Sequence, residues 1–343
     1  MKAAVISLTE QGRQLSERIA GIPGISVRRF CYAPHTDARA ESFDSLQALT
    51  QSLFPRCEAL IFVCACGIAV RMCAPCLRSK RTDPAVLVLD ETGHFVIPVL
   101  SGHLGGANAL AHRLADALGA QACITTATDA NGLFSPDCFA QANRLHIGSM
   151  EACKAVASAL LSGEPVGVCS RYPLGTLPPE LSPDPDCRVG ICITDDPGEA
   201  PFPVTLTLVA QDIVLGIGCR RDTPADVIAA RTADFLARHA LFPERVRCIA
   251  TIDRKADEPG LLAFCKARGL HLVTYPAGAL MAVEGDFTAS AFVEKTVGAD
   301  NVCERSAVLC SGGSLLVRKD AAQGVTLAAA LVPMQIDFDR RMP

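Results

Sequence analysis

A glycine-rich loop with one histidine is the segment of the sequence whose residue types most clearly suggest chemistry. In LSGHLGGANALA, Gly102, Gly105 and Gly106 lie between an apolar run and the start of a predicted helix. Free amides at a helix N-terminus, with glycines that allow close approach, bind carboxylate or phosphate. The spacing is neither the Walker motif nor G-x-G-x-x-G, which disfavours a nucleotide. His103 favours a functional site over glycines that only permit a tight turn.

Two further segments carry basic side chains next to predicted strands. LGIGCRRDTP places Arg220 and Arg221 before a predicted helix, where paired guanidinium groups can hold carboxylates in bidentate fashion. A solvated surface pair is the alternative. The segment GIAVRMCAPCLRSKRTDP gathers four basic residues, Arg71, Arg78, Lys80 and Arg81. Because α/β sheets bind ligands at the carboxyl ends of their strands, these two segments and the glycine-rich loop together predict a ligand with several acidic groups.

Acid–base candidates follow two other predicted strands. Asp90 and Glu91 come directly after AVLVL, where a general base could act, although Asp90 fits a hairpin turn better. The segment ITTATDANG ends a predicted strand with Thr125, Thr126 and Asp129, which can hydrogen-bond a polar substrate or polarise a water molecule. Asp-Ala-Asn-Gly fits a plain turn equally well.

The chain contains 17 cysteines, an odd number scattered from Cys31 to Cys310. This usage fits buried, reduced thiols better than a disulfide framework and predicts a cytoplasmic protein. Four of them form a C-x-C…C-x-x-C pattern that resembles a zinc or iron–sulfur site: Cys64, Cys66, Cys73 and Cys76. Because the first two end an apolar strand, we interpret the four as small core residues and predict no metal site.

Length and charge exclude several classes of protein. At about 100–200 residues per domain, 343 residues predict two or three domains. With 32 basic and 36 acidic residues the net charge is −4, which argues against a nucleic-acid surface. No apolar run reaches the roughly 18 residues of a membrane span. The short apolar stretch near the N-terminus predicts a first strand rather than a secretory signal.

Strands and helices alternate over residues 1–135. AAVISL, ISVRRF and ALIFVCA are predicted strands separated by two helical segments, which indicates parallel strands joined by right-handed crossovers. The tetrad Asp90–Gly93 predicts a hairpin between AVLVLD and HFVIPVL. Apolar residues from Ala107 to Leu118 recur at helical spacing, and QACITTA follows as a predicted buried strand.

Residues 136–211 are predicted to form a small middle module with a proline-rich linker at its end. Eight of the 22 prolines and six acidic residues lie between Pro173 and Pro203, which disfavours a continuous helix or a central strand there. A second α/β domain is predicted for residues 212–343, with Thr223 as the N-cap of its first helix. The fold prediction is therefore two α/β/α-type domains with mostly parallel sheets, joined by a small module.

The sequence resembles the cobalt-precorrin-5A hydrolases of anaerobic cobalamin biosynthesis. In most of residues 58–135 the resemblance rests on G-I-x-V-R…K-x-x-D-P-A-V…D-E-x-G…S-G-H-x-G-G-A-N…T-T-A-T-D. In residues 212–330 it rests on LGIGCRRDTP, ATIDRKADEPGLLAF, NVCERSAVL, SLLVRK and GVTLAAA. The middle region and the first strands match only loosely.

The resemblance implies a carbon–carbon bond hydrolase that opens the δ-lactone of cobalt-precorrin-5A and releases acetaldehyde, giving cobalt-precorrin-5B. Its corrinoid substrate carries many acetate and propionate arms, in agreement with the basic loops. The substrate carries the cobalt, so no cofactor is expected. A homodimer and transient contacts with neighbouring enzymes of the pathway are compatible with this function. The alternative is a non-catalytic corrinoid carrier.

The resemblance also assigns roles by position. His103 and Glu91 match the family motif and are acid–base candidates, with Asp129 as a third. The amides of Gly102, Gly105 and Gly106 are expected to act as hydrogen-bond donors. The basic residues expected to hold side-arm carboxylates are Arg71, Lys80, Arg220 and Arg221. The remaining predicted substrate-binding residues are Gly67, Asn108, Thr125 and Thr126.

Overall fold

A computed structural model describes residues 2–79, 82–102, 105–126 and 133–340, without the side chains of residues 291–293. It divides into two compact units, Met1–Cys138 with Arg341–Pro343, and Phe139–Arg340. The first unit contains one sheet and the second contains two, each with helices between its strands. This is the predicted α/β class. No helix in the described part of the chain is long and apolar enough to span a membrane.

The first unit has a seven-stranded sheet in the order β3-β2-β1-β4-β5-β6-β7. Its strands are β1 (Ala3–Ser7), β2 (Val27–Tyr32), β3 (Glu41–Phe43), β4 (Ala59–Val63), β5 (Ala85–Leu89), β6 (Phe95–Leu100) and β7 (Gln121–Ala122). Its helices are α1 (Glu10–Ala20), α2 (Leu46–Leu53), α3 (Cys66–Cys73) and α4 (Ala107–Leu118). Strands β1 to β5 are parallel to one another. This arrangement was predicted for β1, β2 and β4, whereas β3 was not predicted.

Helices cover both faces of this sheet. Strand β4 is buried along its whole length and directs Ile61 and Val63 to the core under α1 and α4. Leu60 and Phe62 alternate with them and join the core under α2 and α3. Burial on both faces explains why the central parallel strands are continuous apolar runs. Helix α3 lies in a segment for which only a loop was predicted, and β7 is shorter than the predicted QACITTA strand.

A hairpin reverses the chain after β5. Strand β6 is antiparallel to β5, with Leu89 opposite Val96 and Val86 opposite Leu100. The carboxylate of Asp90 accepts the Phe95 amide at 2.7 Å, which confirms its predicted turn role. Residues that follow β6 therefore lie at the edge where β5 begins, whereas residues that follow β4 and β5 lie at the opposite edge. This reversal decides which predicted site residues can meet.

The first sheet of the second unit has the order β10-β9-β11-β12-β8. Its strands are β8 (Leu145–Ile147), β9 (Val166–Ser170), β10 (Leu181–Ser182), β11 (Val189–Thr194) and β12 (Val204–Ala210). The helices of this stretch are α5 (Pro136–Ala142) and α6 (Met150–Leu161). Strand β11 is buried at every position and central in the sheet, so the expectation of no central strand between Pro173 and Pro203 was wrong. The prolines flank β11 without entering it.

The second sheet of this unit has the order β15-β14-β13-β17-β16. Its strands are β13 (Ile213–Cys219), β14 (Val246–Ile252), β15 (His271–Tyr275), β16 (Leu315–Ala322) and β17 (Val325–Leu331). Its helices are α7 (Ala225–Arg238), α8 (Pro259–Arg268), α9 (Ala277–Met281), α10 (Ala291–Val297) and α11 (Cys303–Ser311). Strand β13 is central, parallel to β14 and antiparallel to β17.

The start of α7 differs from the prediction. Pro224, not Thr223, occupies the N-cap position, and no side chain caps the helix. The Thr223 hydroxyl instead donates to the Arg220 carbonyl at 2.8 Å. Asp222 adopts a left-handed conformation with φ of 57°, so the chain turns sharply before the helix begins. The hydroxyl thus stabilises the preceding turn rather than the helix end.

Candidate functional site

The predicted site residues fall into three places. Lys80, His103 and Asp129 lie outside the described residues. Of the others, one group lies where β5 begins and β6 ends, a second lies at the opposite edge of the same sheet, and a third follows β13 in the second unit.

The glycine loop, residues 101–106, joins β6 to α4. The carbonyls of Ser101 and Gly102 accept the amides of Ala107 and Asn108 at 3.1 and 2.9 Å. Two amides of the first helical turn are therefore already occupied by the loop itself. The amides of Gly102, Gly105 and Gly106 are different, since they have no acceptor among the residues that the structure describes. They are the donors that remain available to a ligand.

Two of these glycines are also required by packing. A Cβ atom at Gly105 would lie 2.2 Å from the Cβ of Ser101, and one at Gly102 would lie 2.7 Å from Oδ1 of Asn108. Gly106 has a φ of 78°, which favours glycine. A structural role and a ligand-binding role of this loop are thus compatible. Because glycines have no side chain, the loop can close tightly and its backbone amides stay accessible.

Asp83 fastens the glycine loop to the basic loop before β5. Its carboxylate accepts the amides of Arg78 and Ser79 at 3.0 and 3.1 Å. Its carbonyl accepts the Ser101 hydroxyl at 3.0 Å. Sequence reasoning gave Asp83 no role, although it stands in the quoted K-x-x-D-P-A-V pattern. The available signal was an Asp-Pro pair directly before a buried strand, which is typical of a side chain that organises a turn.

A second bond ties the start of α4 to the chain after β7. The side-chain amide of Asn108 donates to the Thr126 hydroxyl at 2.8 Å, and Asn108 is buried. The structure thus brings together Asp83, Asn108, Thr126 and the glycine loop at one edge of the sheet. Thr125, the neighbour of Thr126 in sequence, is exposed to solvent there.

Glu91, Gly67 and Arg71 belong to the other edge. Gly67 and Arg71 lie on α3, which follows β4, and Glu91 follows β5. The five residues of β5 span about 13 Å from first to last Cα, so the fold holds Glu91 at least that far from the glycine loop. Arg71 is exposed, and Glu91 is half-buried. Glu91 is therefore not brought together with the glycine loop.

The four cysteines of the C-x-C…C-x-x-C pattern lie on and beside α3. Burial raises the pKa of Cys64 to about 11 and that of Cys73 to about 12, which disfavours their thiolates. Within the described ranges, no group of three or more His, Cys, Asp or Glu side chains is arranged to hold a metal ion. The interpretation of these cysteines as core residues rests on this burial.

The arginine loop, residues 219–223, follows the central strand β13. The amide of Asp222 donates to the carboxylate of Glu258 at 2.6 Å, and Lys255 donates to the same carboxylate at 2.6 Å. Glu258 is only 4% exposed. The side chains of Arg220 and Arg221 are exposed and make no hydrogen bond or ion pair with any described residue.

Lys255 and Glu258 were missed by sequence reasoning, although both stand in the quoted segment ATIDRKADEPGLLAF. Together they hold the left-handed Asp222, whose conformation is costly for a residue with a side chain. Among the described residues, nothing competes with a carboxylate ligand for these two guanidinium groups at the carboxyl end of a central strand.

Two clefts, of about 560 and 400 Å³, contain none of the predicted site residues. The first lies beside Arg28 and Glu41 in the first unit. The second lies beside Leu236 and Phe264 in the second unit. The described site residues therefore line neither of these clefts.

Models of known protein families match a segment of each unit. The family model for the cobalamin synthesis G N-terminal domain matches residues 48–129, and that for the C-terminus matches residues 213–330. The chain belongs to the cobalamin synthesis G family. Members of this family act in cobalamin biosynthesis. The matched ranges contain the glycine loop and the arginine loop.

Two curated relatives that are named as hydrolases match this chain over nearly its whole length, and this chain is therefore an enzyme of cobalamin biosynthesis. The cobalt-precorrin-5A hydrolase of Salmonella typhimurium is 37% identical, covering 94% of this chain and 96% of the relative. The cobalt-precorrin-5A hydrolase of Priestia megaterium is 30% identical, covering 96% and 95%. A solved cobalamin biosynthesis protein G homolog from Sulfolobus solfataricus is 23% identical, with a TM-score of 0.42, over 96% of this chain and 97% of that one.

Proposed function

We propose that this enzyme hydrolyses the δ-lactone of cobalt-precorrin-5A and releases acetaldehyde, giving cobalt-precorrin-5B. The observation that carries the proposal is the set of glycine-loop amides that have no acceptor among the described residues, held beside a basic loop by Asp83, in a chain whose relatives are named for this substrate. Lactone hydrolysis needs such donors, because negative charge develops on the carbonyl oxygen when water attacks. The cobalt belongs to the substrate, and no further cofactor is proposed.

Three residues are proposed for proton transfer. His103 follows Gly102 directly in the sequence and is the proposed base for the attacking water, with Asp129 as the alternative. Glu91 lies at the other edge of the sheet, at least about 13 Å from the glycine loop, so its proposed acid–base role rests on the family motif alone. Release of the two-carbon unit requires a further proton transfer, since the hydroxyl freed by lactone opening must lose its proton as the carbon–carbon bond breaks, acetaldehyde forms and the electron pair passes to the macrocycle.

The basic residues are proposed to hold the acidic arms of the corrinoid. Arg220 and Arg221 have no ion-pair partner among the described residues, and each planar guanidinium can donate two hydrogen bonds to a carboxylate. Arg71 and Lys80 would contribute further positive charge in the first unit. The substrate-binding set is completed by Gly67, Asn108, Thr125 and Thr126.

Turnover distinguishes a hydrolase from a carrier. The full chain is incubated with cobalt-precorrin-5A under anaerobic conditions, and acetaldehyde is measured against the amount of protein. We expect many equivalents of acetaldehyde per chain. Stoichiometric binding of the corrinoid without acetaldehyde would overturn the hydrolase proposal and favour the carrier.

Location and partners form a separate part of the proposal. All 17 cysteines are free thiols, which supports a reducing cytoplasmic setting. A homodimer and transient contacts with neighbouring pathway enzymes are proposed as the modes of assembly. Light scattering of the purified chain, alone and mixed with those enzymes, measures both; a monomer at every concentration and in every mixture would contradict this part.

A further inference from the structure

Two thiols of the second unit face each other across the layer between α11 and its sheet. The Sγ atoms of Cys248, on β14, and Cys310, in the last turn of α11, are 3.6 Å apart. Cys248 is buried, whereas Cys310 is half-buried and reaches solvent. The two residues are separated by 62 positions in sequence, so only the packing of α11 on β14 brings them together.

Polar neighbours make the two sulfur atoms unequal. Hydrogen bonds from the Cys248 thiol and the Tyr275 hydroxyl, together with the charge of Arg247, lower the pKa of Cys310 to about 6 against the effect of burial. The shared hydrogen bond and burial raise the pKa of Cys248. Arg247 is fixed by bonds to the Gln211 carbonyl at 2.7 Å and to the Met334 sulfur at 3.0 Å. The more accessible sulfur is therefore also the better nucleophile.

We propose that Cys310 and Cys248 are a peroxide-sensitive dithiol that closes to a reversible disulfide. The Cys310 thiolate attacks one oxygen of hydrogen peroxide; the O–O bond breaks, and hydroxide leaves and takes a proton to become water. The Cys248 sulfur then attacks the sulfenic acid of Cys310, the S–O bond breaks, and a second water leaves with the Cys248 proton. Two thiols lose two electrons in total, and one peroxide is reduced to two waters.

The required movement is small. A disulfide bond is about 2.05 Å long, so the two sulfur atoms must approach by about 1.5 Å. Cys310 lies directly before the helix end, where Gly312 terminates α11 with a φ of 63°. Helix ends are the parts of helices that move most readily. A dithiol reductant reverses the reaction by thiol–disulfide exchange.

A second cysteine pair in the same unit provides an internal comparison. Cys169 and Cys192 are opposite each other on the parallel strands β9 and β11. Cys192 is 1% exposed, and burial raises its pKa. Within the described residues, no tyrosine hydroxyl bonds either sulfur of this pair. We expect it to react after the pair on β14 and α11.

The test treats the full chain with hydrogen peroxide, blocks the remaining thiols, digests without reductant and identifies cross-linked peptides by mass spectrometry. We expect the Cys248–Cys310 peptide to appear first, with the mass loss of two hydrogen atoms, and to disappear after reduction. Failure of this peptide to form, or earlier formation of a Cys169–Cys192 peptide, would overturn the proposal. The outcome is independent of the hydrolase assay, since it concerns only thiol chemistry.

Single variants establish which sulfur reacts first. In Cys248→Ser, a sulfenic acid at Cys310 is expected to accumulate and to be trapped by dimedone. In Cys310→Ser, Cys248 is expected to stay reduced; trapping at Cys248 there would contradict the assigned order. Tyr275→Phe should slow oxidation roughly threefold, because one hydrogen bond to the thiolate is lost. Cys57→Ser, which removes another half-buried thiol of raised pKa, is the control and should leave the cross-link unchanged.

Discussion

The glycine loop and the arginine loop are each held by a carboxylate that accepts backbone amides, yet the two carboxylates differ in their surroundings. Asp83 is half-buried and binds the amides of Arg78 and Ser79. Glu258 is almost fully buried and binds one amide together with the Lys255 ammonium. The carboxylate in contact with water is held by amides, whereas the buried carboxylate of Glu258 also has a compensating cation. The first arrangement affects the local loop, and the second affects the stability of the fold.

The two loops also differ in their position on the sheets. The arginine loop follows the carboxyl end of a central strand, where open α/β sheets usually bind ligands. The glycine loop lies where β5 begins, because β6 returns antiparallel to it. The glycine loop therefore lies at the edge opposite to the carboxyl ends of the central parallel strands, where ligands usually bind, because β6 runs antiparallel to them.

The largest expected effect is on the glycine loop. His103→Ala should lower turnover of cobalt-precorrin-5A at least about a hundredfold, because a positioned acid–base group contributes that much or more to a rate. Acetaldehyde release measures it. His112→Ala changes an exposed histidine of α4 and serves as the matched control, with an unchanged rate. Wild-type turnover in His103→Ala would remove the proposed base from this loop and leave Asp129 as the candidate.

The next effect concerns stability in the second unit. Lys255→Met should lower the free energy of unfolding by about 3 kcal/mol, because it leaves the Glu258 carboxylate buried without its cation. Urea unfolding followed by circular dichroism measures the change. Lys266→Met, at an exposed position of α8, should change the same quantity by less than about 0.5 kcal/mol. Equal effects of the two substitutions would show that Glu258 does not depend on Lys255.

Asp83 should affect activity more than stability. Asp83→Ala removes the acceptor for two amides that water can reach, so the free energy of unfolding should fall by only about 1 kcal/mol. Turnover should fall about tenfold, since misplaced groups in a site cost rate even when they do not touch the reaction. Asp83→Asn keeps an acceptor oxygen and should restore most of the activity. The exposed Asp44→Ala is the control; a large loss of stability in Asp83→Ala would contradict the comparison with Glu258.

The sequence predicted the elements whose signals are local. The Asp90 turn was recognisable because its side chain binds the backbone a few residues ahead, and α4 because its apolar residues share one helical face. Helix α3 escaped prediction because it has only eight residues and no side-chain cap. Strand β11 was not predicted because the prolines on both sides of it disfavour a strand, although none lies within β11 itself.

The site could be predicted only in part for a related reason. Ligand binding is indicated by the types of the glycine, arginine and histidine residues. Asp83 and Glu258, in contrast, act through tertiary contacts with Ser101 and Asp222. No spacing rule connects Glu258 to a residue 36 positions away. The separation of Glu91 from the glycine loop, in contrast, follows from the hairpin that the Asp90–Gly93 tetrad predicts, because that hairpin makes β6 antiparallel to β5.

The smallest effect expected is on the arginine loop itself. Arg221→Ala should raise KM about fivefold and leave kcat nearly unchanged, because an exposed guanidinium that holds a side-arm carboxylate binds substrate and transition state alike. The increase should shrink as salt is added, since exposed charges are screened. Arg56→Ala, at an exposed position of the first unit, is the control. An unchanged KM would show that Arg221 does not bind the substrate and that the Glu258 contacts only stabilise the fold. A fall in kcat would extend the role of this loop from substrate binding to the reaction.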